Sequence, residues 1–321
     1  MRGQPCSGGW IFRRGKRRAS KTAPHKDMAI PVPLSASPSA AGGSLGQQER
    51  DDLARAVMLL ESPSLTIQLA NLVGTPIEWG MARLPKAARN KVQGLVQVAL
   101  SKAVSAALLG FKDEPSRQSS PRLHALATAA SGAVGGFFGT ASLAVELPVT
   151  TTLMMRAIAD IARSEGFSLA DPAVQATCVE VFALGGKTAD DDAADSGYYA
   201  SRGALSEVLK HTARELTGLA AKRAGQQMAQ AGSSLQTGIW LARMIDAVAA
   251  RFGVVVTEKL AAQIVPVVGA ASGAAINTLF TRYYQSVAKG HFIVRRLELQ
   301  YGEALVQQEY EAILVRRRLA R

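Results

Sequence analysis

The sequence predicts an all-α protein: a compact multi-helix bundle with two Gly/Ala-rich apolar helical segments and a disordered N-terminal tail. Apolar residues make up 48% of the 321 residues and aromatic residues only 6%, so Ala, Leu, Val and Ile must build most of the core. Small side chains let helices approach closely, whereas sheet surfaces are usually rich in aromatic residues and Thr. Alternation with a period of two is scarce, which leaves few candidate strands.

The first 46 residues are predicted to be a disordered tail, basic over 1–27 and then rich in Ser, Ala, Pro and Gly. Of the net charge of +12, residues 1–27 carry +7, so the rest of the chain is only mildly basic. We expect translation to start at Met28, so that residues 1–27 would come from a gene start assigned too far upstream. The functional alternative is that these residues form a basic arm that binds phosphates. Because most excess charge lies in this tail and aromatic residues are few, we expect no nucleic-acid partner.

Residues 47–302 are predicted to form a helical domain. An apolar stripe at helical spacing predicts a first helix over Asp51–Leu60. A long helix is predicted over Pro85–Leu109 and another over Leu235–Phe252. Capping residues followed by proline predict further helix starts at three places. They are Ser62-Pro63, Thr75-Pro76 and Asp171-Pro172.

Residues 303–321 are predicted to form an amphipathic, basic C-terminal helix. Its apolar and basic residues are Ile313, Leu314, Val315 and Leu319, and Arg316, Arg317, Arg318 and Arg321. Such a segment can lie on an anionic bilayer, because basic side chains contact lipid phosphates while apolar ones enter the interface. The alternative is a terminal helix that frays.

Two stretches, 123–145 and 260–281, contain no Asp, Glu, Lys or Arg and are about as long as a membrane span. Polar and glycine residues dilute both, and Pro266 interrupts the second, so a buried core helix or a shallowly inserted hairpin is favoured over a true span. The sequence Ala-Ala-Ser-Gly-Ala occurs in both, through duplication or through compositional bias. Small residues at helical spacing predict close helix packing. They are Ser131, Gly132, Gly136, Gly139, Gly269, Ser272 and Gly273.

The candidate polar site combines residues from distant parts of the chain. They are Glu146, Asp191, Asp192, Asp195, His291 and Arg295. The three aspartates would share a helix face and offer oxygen ligands or a carboxyl group of raised pKa, or else they cap a helix start. Glu146 lies beside an apolar run and needs a partner, for which Arg156 or Arg295 is expected. His291 is either part of this site or an ordinary hydrogen-bonded surface histidine.

Sequence motifs of several enzyme classes are absent. Lys187-Thr188 follows a glycine, but the first glycine of a phosphate-binding loop would fall at Val181, within a predicted helix. Hydrolase and dinucleotide-binding fingerprints do not occur. Cys6 and Cys178 lack the spacing of a zinc site or a disulfide framework. We therefore expect no cofactor and no metal.

Several separated blocks within about residues 48–302 resemble the EcsC family. They are Glu146–Thr152, Leu184–Gly186, Asp191–Tyr199, Val265–Ala270 with Asn277 and Phe280, and His291–Phe292 with Arg295–Glu298. The resemblance implies a bacterial, helical, membrane-proximal protein from a family named for a gene that accompanies an ABC-type exporter. It implies no reaction, and the peptidase label carried by some family members finds no support in these residues.

The function expected from the sequence is that of a membrane-associated helical protein without identifiable catalytic chemistry, accessory to an ABC-type exporter. Its partner would be a membrane surface or an integral membrane protein, and its place the cytoplasmic side of the inner membrane. The alternative is a hydrolase, peptidase-like or metal-dependent enzyme that uses Asp191, Asp192 and Asp195 together with Glu146 and His291.

Overall fold

The computed structural model describes residues 44–74, 76–84, 86–108, 143–185, 197–203, 205–206, 232–264 and 269–319. Within these ranges the regular structure is entirely helical and contains no strand, so the predicted fold class is confirmed. The helices are α1 (Gln47–Leu60), α2 (Leu65–Val73), α3 (Ile77–Arg83), α4 (Lys86–Leu108), α5 (Leu143–Ser164), α6 (Pro172–Leu184), α7 (Gly232–Ile264), α8 (Gly269–Tyr301) and α9 (Glu303–Leu319). A further helical segment covers residues 197–203.

Helix α8 is the central element of the bundle. Its 33 residues span about 50 Å at 1.5 Å per residue. Helices α1, α2, α5, α6, α7 and α9 all contact it. Its side chains Phe280, Tyr284, Phe292 and Leu297 are almost completely buried, although aromatic residues are rare in the chain. Several of the few rings thus lie along the helix that contacts six of its described neighbours.

Local signals in the sequence explain where several helices begin. The Asp171 side chain accepts a hydrogen bond from the Ala173 amide at 2.8 Å, and Pro172 is the first residue of α6, as predicted. Helix α2 is instead capped by Ser64, whose hydroxyl accepts from the Ile67 amide at 3.4 Å. The start predicted at Ser62 is wrong, because its hydroxyl donates to the Leu59 carbonyl at the end of α1.

The uncharged stretch 260–281 is not one helix. Its first residues end α7 at Ile264, and its later residues begin α8 at Gly269. The Phe252 ring contacts the rings of both Phe280 and Tyr284, so the two helices run back along each other. Of the stretch 123–145, residues 123–142 lie outside the described ranges.

In the part of the chain that the structure describes, no single helix is both long enough and apolar enough to cross a bilayer. The pair α1 and α2, bent by 56° at its break, meets the criteria of length and composition when the two helices are taken together.

Candidate functional site

Glu146 lies in the first turn of α5 and faces α7 and α8. Its Oε1 atom accepts hydrogen bonds from Lys259 Nζ at 3.0 Å and from Asn277 Nδ2 at 3.2 Å. The three residues are 7%, 3% and 0% exposed, respectively, so this is an ion pair inside the core. We call these residues, together with the buried Thr150 and Thr281 one turn further along α5 and α8, the Glu146 layer.

The partners expected for Glu146 were wrong. Arg156 is exposed on α5, and Arg295 donates to Glu298 Oε2 at 3.1 Å, one turn further along α8. The sequence nevertheless contained a signal for Lys259. Glu146 is the first charge after one uncharged stretch and Lys259 the last charge before the other, and the fold pairs these two bordering charges.

His291 lies on α8 and is completely buried. Its Nδ1 atom is 2.9 Å from the Tyr198 hydroxyl, and its Nε2 atom is 3.9 Å from Glu180 Oε2, too far for a direct hydrogen bond. Burial, and then the positive charges of Arg202 and Arg295, hold the pKa of His291 well below its usual value. The imidazole is therefore neutral, and the expectation of a surface histidine is wrong.

Glu298 is the anionic centre beside His291. Its Oε1 atom accepts from Arg202 at 2.5 Å and from the Tyr199 hydroxyl at 3.2 Å, while Arg295 bonds Oε2. Arg202 also lies 3.6 Å from the exposed Glu303. We call the whole group the His291 cluster. It consists of His291, Tyr198, Tyr199, Arg202, Arg295, Glu180, Glu298, Glu61 and Tyr310.

Glu180 on α6 and Glu61 after α1 complete the His291 cluster. Burial raises the pKa of Glu180, and the charges of Arg202 and Arg295 offset part of that rise. Glu61 Oε1 accepts from the Tyr310 hydroxyl at 3.0 Å and from the Tyr198 amide at 3.2 Å. The cluster is therefore assembled from five separate parts of the chain.

The fold keeps Glu146 and His291 apart. Glu146 bonds Asn277, which precedes His291 by fourteen positions on α8, a rise of about 21 Å. The rings of Phe280 and Tyr284 lie between these two levels. The prediction that Glu146 and His291 share one active site is therefore wrong. Asp191, Asp192 and Asp195 lie outside the described residues.

Gly80 and Gly290 allow close helix approach at positions that were not predicted, while close packing at the predicted residues stays a prediction. A Cβ atom on Gly80 would lie 2.2 Å from the Ala261 carbonyl oxygen, and one on Gly290 would lie 2.6 Å from Leu60 Cγ. Among the predicted residues, Gly273 is buried in α8. Gly269 and Ser272 belong to the first turn of that helix, whereas Ser131, Gly132, Gly136 and Gly139 lie outside the described residues.

The last turn of α9 exposes apolar and basic side chains together. Val315 is 54% and Leu319 83% exposed, and Arg316 and Arg318 beside them are also exposed. Val306, Tyr310 and Leu314 form the opposite, buried face of α9.

The described residues thus form an all-helical bundle that contains the Glu146 layer, the His291 cluster and an exposed basic, apolar end of α9. Within the described ranges, no group of three or more His, Cys, Asp or Glu side chains is placed to hold a metal ion. The chain belongs to the EcsC protein family, whose model matches residues 81–297, more than half of its length. No curated protein and no solved structure matches it.

Proposed function

We propose that this EcsC-family protein is a non-enzymatic, peripheral membrane protein whose last helical turn binds an anionic lipid surface. The observation that carries the proposal is the exposed end of α9, where Val315 and Leu319 lie beside Arg316 and Arg318. Anionic lipids are the partner that matches this chemistry, since they offer phosphates to the arginines and an apolar interior to the other two side chains.

The arrangement of these four side chains around α9 supports a planar partner. At 100° per residue, Val315 and Leu319 lie on one face, roughly 160° from the centre of the buried face. Arg316 and Arg318 flank this apolar face at about 80° on either side. Arginines in such positions can reach outward to phosphates while the apolar pair points into the interface.

The expected affinity is modest and depends on salt. Each arginine near an anionic surface contributes about 1 kcal/mol, and a fully buried Val or Leu side chain about 1.5–3 kcal/mol. Because the charge contribution acts within a Debye length of about 10 Å at 0.1 M salt, added salt weakens it. Binding therefore needs both chemical components.

Vesicle sedimentation tests the proposal. The full chain should pellet with phosphatidylcholine vesicles that contain phosphatidylglycerol at low salt, and less with pure phosphatidylcholine. The double variant Arg316→Glu/Arg318→Glu should bind the anionic vesicles at least tenfold more weakly, since two attractive charges become repulsive. Leu319→Ser should weaken binding to both kinds of vesicle.

The matched control reverses two exposed charges on α4, in Arg89→Glu/Lys91→Glu. This variant changes the net charge by the same amount and should keep most of the binding. Absence of wild-type binding at low salt, or equal losses in the two double variants, would refute the proposal. The thermal unfolding midpoint of each variant shows whether it is folded.

The place of action belongs to the same proposal: the cytoplasmic face of the inner membrane, beside an ABC-type exporter. Family membership is the support for this part. Crosslinking in intact cells followed by purification should recover exporter subunits with the wild type but not with the Arg316/Arg318 variant. Recovery of the same subunits with both the wild type and the variant would show that the contact with the exporter does not depend on the end of α9.

A further inference from the structure

Three polar atoms of the Glu146 layer are buried without a hydrogen-bond partner among the described residues. They are the hydroxyl oxygens of Thr150 and Thr281 and the Oδ1 atom of Asn277. The three residues are 1%, 0% and 0% exposed. Each buried polar atom without a partner costs about 1–3 kcal/mol, so three in one layer require an explanation.

The two hydroxyls differ from those of several other helical threonines among the described residues. Thr152, Thr177 and Thr278 each donate to the carbonyl four residues earlier, at 2.7, 2.9 and 2.7 Å. Thr150 shares α5 with Thr152, and Thr281 shares α8 with Thr278, but neither Thr150 nor Thr281 makes this bond. Their hydroxyls are therefore left to bond something between the helices.

The three residues lie at neighbouring levels of the bundle because α5 and α8 run in the same direction. Glu146 bonds Asn277 near the start of both helices, and Glu165, just past the end of α5, bonds Lys289 much further along α8. Thr150 follows Glu146, and Thr281 follows Asn277, by four residues. Both hydroxyls consequently lie one turn, about 5.4 Å, beyond the same ion pair.

The charges and hydrogen-bonding groups of the layer restrict what it can bind. Glu146 and Lys259 neutralise each other, so neither an anion nor a cation would find an unbalanced charge. Asn277 Oδ1 can only accept, whereas the threonine hydroxyls both donate and accept. The complementary ligand is small, neutral, and able to donate as well as accept hydrogen bonds.

We propose that the Glu146 layer is a buried binding site for such a ligand, and that ordered water is its resident. Bound water would complete the hydrogen bonding of Asn277, Thr150 and Thr281, as buried water does for isolated polar groups in other proteins. The site is independent of the lipid-binding end of α9.

The variants Thr150→Val and Thr281→Val, which keep side-chain shape and remove the hydroxyl, test the site. If the site is occupied, each variant loses a hydrogen bond, and the unfolding equilibrium constant rises about fivefold. If the hydroxyls have no partner, Val removes a desolvation penalty and the constant falls instead. A fall in both variants overturns the proposal.

Thr151→Val is the matched control. Thr151 is the next residue of α5, is equally buried and also lacks a partner among the described residues, but lies about 100° around the helix from Thr150. The unfolding equilibrium constant of Thr151→Val should fall relative to the wild type, whereas that of each layer variant should rise. A change of the unfolding equilibrium constant in the same direction for all three variants would contradict a site confined to the Glu146 layer.

A second measurement identifies the resident. Long-lived water should show magnetisation transfer to the Asn277 side-chain amide in nuclear magnetic resonance spectra, and the signal should weaken in the Thr150→Val/Thr281→Val double variant. Absence of that signal, or a stoichiometric organic solute in extracts of the purified protein, would overturn water as the resident.

Discussion

The Glu146 layer and the His291 cluster occupy the same central helix, yet they tolerate buried charge in different ways. In the layer, one carboxylate and one ammonium group depend on each other, and both are more than nine-tenths buried. In the cluster, Glu298 is shared by two arginines whose side chains are 11% and 24% exposed. If one member of the closed Glu146–Lys259 pair is lost, no other group can replace it. In the branched His291 cluster, by contrast, a charge that loses Glu298 still has water or another charged side chain nearby.

Removing the layer's carboxylate should have the largest effect. Glu146→Gln leaves Lys259 as a buried charge without its counter-ion, and we expect a loss of about 3–5 kcal/mol in the free energy of unfolding. Urea unfolding followed by circular dichroism measures it. The double variant Glu146→Leu/Lys259→Met, which removes both charges, should recover most of the loss; equal losses in the single and double variants would contradict this account.

Removing the anionic centre of the His291 cluster should cost less. In Glu298→Gln, Arg202 retains the nearby Glu303 and Arg295 retains contact with water, so we expect a loss of about 1–3 kcal/mol. The same urea titration measures it. A loss equal to or larger than that of Glu146→Gln would remove the distinction between the closed and the branched site.

The smallest expected effect concerns pH. Because the pKa of Glu180 is raised in the folded protein from 4.5, the native state keeps its proton to higher pH than the unfolded chain. This group therefore lowers stability as the pH rises from about 4.5 through the native pKa. Glu180→Gln should gain stability relative to the wild type over that range, as urea midpoints would measure. A constant difference across pH would exclude titration of Glu180.

His291 has the opposite linkage and serves as the comparison for that experiment. Its native pKa is lowered from 6.5, so the unfolded chain takes up a proton first and stability falls as the pH decreases below about 6.5. His291→Gln should flatten this acid-side loss. The two variants thus separate opposing contributions within one cluster.

Helices could be predicted from the sequence because their signals are local. The stripe of Leu53, Val57 and Leu60 is buried as expected, and Asp171 caps α6. Where a local signal had two possible uses, prediction failed. Ser62 and Ser64 both precede the apolar positions of α2, and only the structure assigns one to end α1 and the other to start α2.

The polar sites could be predicted only in part because their partners are distant in sequence. Glu146, His291 and Arg295 were singled out by their own surroundings, and all three do belong to polar clusters. Lys259 lies 113 positions from Glu146, and Tyr198 lies 93 from His291. No periodicity or spacing rule relates residues so far apart, since helix packing alone decides which of them meet.

The family match covers residues 81–297, but the His291 cluster extends beyond both of its limits. Glu61 precedes the matched region, Tyr310 on α9 follows it, and these two bond each other. A fragment trimmed to the match would also uncover the face of α8 on which α1 packs, including the contact between Gly290 and Leu60. The matched segment is thus the middle of one packed core, and excising it would cut through that core rather than free a module.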